Sequence, residues 1–223
     1  MFFLLCAISA VCAYLLGGIN GAIILSRAVY HEDIRSLGSK NPGFTNFKRL
    51  HGFCPATFAV MAIDIFKTIL PTLAFRILFE QYGFLAQFGA VWTLLFCMLG
   101  HVFPVWYGFK GGKAVLAYLS GIWFVDWRMG LICFGIFVVI LLTIRYMSLA
   151  SMTFAFTSPI VLALLGCRDW AVLVTSSVLS ILVIVRHWQN IQRLIKGTES
   201  KFTLRSKKKA ERSSAYCRKG TAC

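Results

Sequence analysis

Long apolar runs broken by short polar islands organise this chain from its first residue to about residue 200. The apolar segments fall near 2–26, 53–79, 84–107, 114–125, 129–144, 149–166 and 170–185. A helix needs about 20 residues to cross hydrocarbon, and lipid offers exposed backbone groups no partner. The pattern therefore predicts an all-α, polytopic transmembrane bundle of about seven spans. The fourth segment is short for a full crossing and reads as tilted or partly re-entrant, so counts of five or six are the alternatives. Met1-Phe2-Phe3-Leu4-Leu5 lacks the basic lead of a secretory signal, although Ser9-Ala10-Val11-Cys12-Ala13 resembles a cleavage site. It reads as a retained first span that starts outside.

Composition narrows the class. Apolar residues make up 58% and charged residues 14%, with mean hydropathy +0.75, whereas about a quarter of a soluble domain is charged. A separate soluble domain has no room. Residues 1–200 form the membrane domain, and 201–223 read as a basic, disordered cytoplasmic tail. The eight Cys stand singly with no C-x-x-C pair, so they read as apolar filler. Neither a metal site nor a disulfide frame is expected, and no cofactor is.

Charge supplies the orientation. With the N-terminus outside, nineteen Lys and Arg fall in inside segments and three (Arg76, Arg128 and Arg168) in outside loops, Lys67 lying within a span. That asymmetry satisfies the positive-inside rule and puts the C-terminus in the cytoplasm. The formal charge of +15 belongs mostly to that face. The tail suits anionic lipid headgroups, at about 1 kcal/mol per basic residue. It lacks the interleaved aromatics of a nucleic-acid site, so membrane lipid is its expected partner and nucleic acid is not. No internal repeat is evident.

The same count turns three polar islands toward the cytoplasm. The first is Gly38-Ser39-Lys40-Asn41-Pro42-Gly43-Phe44-Thr45-Asn46-Phe47-Lys48-Arg49. Its glycines let backbone N–H groups converge on an anion. Ser39, Asn41, Thr45 and Asn46 add neutral donors, and Arg49 can grip a phosphate with two prongs. The second combines Gly100-His101-Val102-Phe103-Pro104 with Lys110-Gly111-Gly112-Lys113 just before an apolar helix, where backbone donors and the macrodipole favour anions. The third is Arg186-His187-Trp188-Gln189-Asn190; His187 and Asn190, three apart at the end of the last span, are expected on one face of a helix and could orient a hydroxyl or take its proton. Alone, each island also fits an ordinary cytoplasmic turn, and His101 a structural residue. Asp64 and Lys67, three apart inside the second span, would neutralise each other.

Together the islands are more specific. The order Gly-Ser-x-Asn-x-Gly-x-Thr-Asn-x-x-Arg, Gly-His-x-Phe-Pro…Lys-Gly-Gly-Lys, Arg-His-x-x-Asn-Ile-x-Arg-Leu…Gly-Thr-Glu resembles the PlsY family, from about residue 17 to 198. These are the acyl-phosphate:glycerol-3-phosphate acyltransferases of bacterial inner membranes. The resemblance implies a seven-helix enzyme with cytoplasmic active-site loops that moves a fatty acyl group from acyl phosphate to the 1-hydroxyl of glycerol 3-phosphate, forming lysophosphatidic acid. It implies no obligate protein partner. Carried onto this chain, Ser39, Arg49, Lys110, Gly111, Gly112 and Lys113 look like phosphate binders. Asn41, Gly43, Thr45, Asn46, His101 and Ser148 look like further substrate contacts. His187 and Asn190, with Ser39, are the candidates for the chemistry.

Several positions depart from the family pattern: Asn20 follows Gly18-Ile19 where Pro is usual, Lys40 and Ala114 replace glycines, Phe44 replaces Ala, Ala117 replaces Thr, and Thr68 replaces Gly. The alternatives from other classes are a transporter or binding protein for phosphorylated anions and an inactive paralogue serving as a membrane partner. Transporters place their sites near the midplane between repeats, whereas here the polar groups cluster at one rim.

Overall fold

The computed structural model describes residues 1–203; the rest of the basic tail, 204–223, lies outside the described residues. All regular structure among them is helical. The helices are α1 (Phe2–Gly17), α2 (Gly21–Tyr30), α3 (Phe44–His51), α4 (Pro55–Gln81), α5 (Ala86–Val102), α6 (Val115–Gly121), α7 (Trp127–Thr143), α8 (Met147–Leu164), α9 (Trp170–Arg186) and α10 (Trp188–Ile195).

By length and composition, four stretches can cross a membrane: Phe2–Tyr30, Pro55–Gln81, Ala86–Tyr107 and Met147–Leu164. A fifth is α9 with α10, which bend by 56° at their joint. α7 and the stretch Val115–Phe124 are shorter apolar helices. The latter, at 1.5 Å per residue over most of its length, spans only about 15–20 Å. It packs along α5. The Gly112 amide, just before it, pairs with the His101 carbonyl, while Phe124 and Val125 line the same groove as Leu85, Ala86 and Gln87.

Local chemistry sets the helix ends. The Asn20 side chain accepts from the Ile23 N–H at 3.0 Å and so starts α2 after the break at Gly18-Ile19. Pro55 opens α4 at a position where its missing N–H costs nothing. Asp126 and Asp169 cap α7 and α9 by accepting from Met129 and Val172 N–H groups.

Packing follows from residue size. A Cβ added to Gly17 would lie 2.1 Å from the Cys97 carbonyl oxygen, and one on Gly100 would lie 2.1 Å from that of Tyr14. α1 and α5 therefore cross backbone against backbone, the contact that small residues permit in membranes. The largest core gathers Leu94 and Met98 of α5, Tyr118 of α6, Met129 of α7, Phe154 of α8 and Leu179 of α9. A second core of Ile23, Ile34, Phe47 and Val60 lies beneath the first island. Outward faces stay apolar, as at Phe3, Leu142, Leu164 and Ile181, an exposure that suits lipid rather than water.

Candidate active site

The three islands converge at one end of the bundle. Asn46, buried on α3, organises the first: its Nδ2 donates to the Leu37 carbonyl at 3.0 Å and its Oδ1 accepts from the Ser39 N–H at 2.9 Å. The Arg49 guanidinium, one turn on, reaches the same oxygen at 3.4 Å. Gly43 caps α3, and its amide closes on the Asn41 carbonyl. Thr45 is half-buried in the first turn, and the Ser39 side chain is exposed at the rim. Phe44 turns into the second core, so the bulk at this departure from the family pattern is taken up by packing. Asn20 donates to the Pro42 carbonyl at 3.1 Å, tying the α1–α2 break to this loop. Asp33 holds Arg35 through a bidentate pair, and Arg35 donates to the Tyr107 carbonyl at 3.0 Å, which links the first island to the second. The Arg35 guanidinium keeps the Asp33 carboxyl well below the usual carboxylate range.

In the second island the Gly111 and Gly112 N–H groups donate to the carbonyls of Val102 and His101. Those two donors are thus spent on the fold, and α6 behind them has only seven residues. The glycines serve close approach: a Cβ at Gly111 would lie 2.1 Å from the His101 carbonyl oxygen, and one at Gly112 would lie 2.3 Å from His101 Nε2. What the loop delivers is Lys113, whose ammonium donates to Asn190 Oδ1. Burial pushes Lys113 down to about 8, and the positive charges of Arg193, Arg186 and Arg49 act in the same direction against Glu199. Lys110 is exposed, and among the described residues its side chain has no hydrogen-bond partner.

The His101 ring lies between Gly112 and a buried group on α4. Lys67, buried in α4, donates to Asp64 Oδ1 at 2.6 Å, to the Ile19 carbonyl at 2.7 Å and to His101 Nδ1 at 2.8 Å. An ammonium can only donate, so Nδ1 is the acceptor and the imidazole proton sits on Nε2. The buried pair expected from spacing thus has a third member, and it joins α4, α5 and the α1–α2 break.

The third island differs from a continuous helix. His187 ends α9 and begins α10, so His187 and Asn190 flank a bend instead of sharing one straight face. His187 Nδ1 donates to the Val183 carbonyl at 2.8 Å, which leaves Nε2 of the neutral ring as an acceptor. Asn190 Nδ2 donates to Glu199 Oε1 at 2.7 Å; Ser148 donates to the same oxygen at 2.7 Å, and Arg193 Nε to Oε2 at 2.7 Å. Burial opposes ionisation of Glu199, but the hydrogen bonds from Ser148, Arg193 and Asn190 outweigh it and hold the carboxyl below its ordinary value. Residues after Glu199 close over the site: Ser200 Oγ lies 3.4 Å from Arg49, and Lys48 donates to the Thr203 carbonyl at 2.8 Å beneath the Phe202 ring.

Of the candidates, Asn46, Arg49, Lys113, Ser148, His187 and Asn190 come together in one hydrogen-bonded and charged cluster, while Lys110 and the His101 ring stand outside it. Residue patterns alone passed over Glu199, Arg193 and Arg186 as site members. The available signal was that Glu199 is the first carboxylate after Asp169, set among basic residues.

An all-helical, apolar-surfaced bundle with a cationic cluster rich in hydroxyl and amide groups at one end defines an integral membrane protein whose polar chemistry is gathered at one rim. The chain belongs to the glycerol-3-phosphate acyltransferase family, whose model matches residues 7–197. It is 39% identical to the glycerol-3-phosphate acyltransferase of Mesorhizobium japonicum over 196 residues, 87% of this chain and 94% of that protein. Its identity to the one from Francisella tularensis subsp. mediasiatica is 34% over 197 residues, covering 88% and 93%. The fold is similar to the crystal structure of PlsY, an integral membrane glycerol 3-phosphate acyltransferase, in its glycerol 3-phosphate form: TM-score 0.79, 32% identity, covering 89% of this chain and 96% of that one.

Proposed function

We propose that this protein transfers a fatty acyl group from acyl phosphate to the 1-hydroxyl of glycerol 3-phosphate, forming lysophosphatidic acid in a bacterial inner membrane. One observation carries the reading: the charges of Arg193, Arg186 and Arg49 all act on Lys113, and among the described residues Glu199 is the carboxylate that acts on it against them. That excess of positive charge suits two phosphorylated substrates, and the relatives' names supply glycerol 3-phosphate.

The chemistry needs little beyond placement. Acyl phosphate is a mixed anhydride with a good leaving group, so positioning and charge stabilisation lower the barrier. The glycerol hydroxyl oxygen attacks the acyl carbonyl carbon, the new ester C–O bond forms, and the acyl C–O bond to phosphorus breaks as phosphate leaves with the electron pair. The hydroxyl proton passes to the departing phosphate or to Nε2 of His187. Lys113 and Arg49 hold phosphate charge, with Ser39, Asn41, Gly43 and Thr45 as the surrounding contacts and the 110–112 loop setting the place of Lys113. Asn190, fixed between Lys113 and Glu199, and Ser148 position the reactants. No acyl-enzyme is invoked.

About seven crossings, with the N-terminus outside and both the C-terminus and the site in the cytoplasm, belong to the same proposal. The charge asymmetry supports it, as does the path of Val115–Phe124 alongside α5.

The test is lysophosphatidic acid formation by the purified protein from glycerol 3-phosphate and palmitoyl phosphate, with palmitoyl-CoA and Arg49→Ala as controls. Product from acyl phosphate, lost in the variant, is the expected result. No product from either donor in folded protein overturns the reading. Retained substrate binding with most turnover lost in His187→Ala would support its part in the chemistry, and unchanged turnover would remove it from the site.

A further inference from the structure

Arg186 is a half-buried guanidinium at the end of α9 whose partners are unusual. Its Nε donates to the Gly112 carbonyl at 3.3 Å and an Nη to the Gly111 carbonyl at 3.5 Å, and its cation lies 5.7 Å from the centre of the Phe103 ring. Among the described residues no carboxylate pairs with it. A desolvated cation normally takes a carboxylate when one is within reach; this one is spent on two consecutive peptide carbonyls and an aromatic face.

The same two peptides are held from the other side. Their N–H groups donate to the Val102 and His101 carbonyls at 3.2 and 3.0 Å, at the end of α5 where Lys67 and Asp64 fix the His101 ring. The Gly111-Gly112 segment is therefore clamped between α5 and α9, and the residue that emerges from the clamp is Lys113.

We propose that Arg186 is a positioning residue for the acyl-transfer site: by holding the Gly111 and Gly112 carbonyls it sets the place of the Lys113 ammonium against Asn190 and the substrate phosphate. The inference rests on the acyltransferase reading above. It also gives Arg186 an electrostatic part, because its charge is one of three positive charges that act on Lys113. The groups whose charge reaches Lys113 are Arg193, Arg186, Arg49 and Glu199, and His187 is in turn affected by Lys113. Removing the Arg186 charge moves the Lys113 titration to higher pH, an effect that a purely structural role would not produce.

The experiment measures kcat/KM for glycerol 3-phosphate and for palmitoyl phosphate against pH in purified wild-type, R186K and R186Q proteins. R186Q is expected to lose about ten- to hundredfold in kcat/KM, the scale of a catalytic group displaced by about an ångström, with the alkaline limb moved to higher pH. R186K keeps the charge but not the two-pronged fork, so the rate falls while the limb stays. R186Q with wild-type kcat/KM overturns the proposal, as does a loss of activity with the limb unmoved. Should R186Q fail to fold, R186K decides: wild-type kcat/KM in that variant overturns the positioning role. An inactive wild-type protein, in contrast, refutes the acyltransferase reading on which this rests.

Discussion

Asp64→Asn exchanges a carboxylate for an amide of nearly the same shape at a point where water cannot compensate. The Asp64 and Lys67 side chains are 2% and 3% exposed, and their contact is 2.6 Å. Lys67 has three N–H donors and three acceptors: Asp64 Oδ1, the Ile19 carbonyl and His101 Nδ1. The amide keeps an acceptor oxygen, so the geometry survives, but the counter-charge is gone and the ammonium stays buried. Breaking one side of a buried pair costs about 3–5 kcal/mol; because the hydrogen bond is retained, the lower end applies. At about 2–4 °C per kcal/mol for a chain of this size, Tm should fall by about 6–12 °C. Thermal unfolding in detergent, read by size-exclusion recovery at one fixed heating schedule, measures it. Lys67→Met and the double variant complete a cycle in which the double loses about 2 kcal/mol less than the sum of the singles. An Asp64→Asn protein that unfolds within about 2 °C of wild type, or strict additivity in the cycle, would refute a charge pair that holds α4, α5 and the α1–α2 break together.

Lys113, lowered to about 8 by burial and neighbouring cations, loses its charge as pH rises through that value; kcat/KM, which reports the free enzyme, should fall above pH 8 and the limb should vanish in Lys113→Arg. Glu199→Gln leaves Arg193 without its carboxylate and two donors competing for a neutral oxygen; about 1.5–3 kcal/mol of stability should go, measured as the shift in thermal unfolding, and no loss would mean the cluster is not formed. Gly100→Ala drives a methyl into the Tyr14 carbonyl and should cost about 1–3 kcal/mol by the same assay, more than Gly135→Ala, where nothing lies within 4 Å. Lys40 and Ala114 occupy left-handed backbone, at φ 60° and 56°, where side chains cost about 1–2 kcal/mol; Lys40→Gly and Ala114→Gly should each raise Tm by a few degrees, and a fall would refute strain at those turns.

The left-handed geometry at Lys40 and Ala114 gives two departures from the family pattern a structural cost. Both are positions where the pattern has glycine, and the chain keeps the turn while accepting the strain. Asn20, another departure, closes a gap: it caps α2 and ties the first island to the α1–α2 break. These consequences were not legible in one sequence, because a turn's φ and a side chain's distant acceptor leave no mark on residue identity.

The class of molecule and most of the residues that gather at its polar end are legible in the residue order alone. Long apolar runs can only be buried in lipid or in each other, and Lys and Arg resist translocation, so composition and charge order dictate a helical membrane bundle with its polar islands on one rim. How the islands meet emerges only when the helices pack. The His101 ring pairs with Lys67 behind Gly112, the helix breaks at His187, and Glu199 reaches back to bind Ser148, Asn190 and Arg193. Each of these depends on a partner between six and more than fifty residues away, or on a bend that hydrophobic periodicity does not carry, since periodicity records which face of a helix is buried but not what lies opposite it.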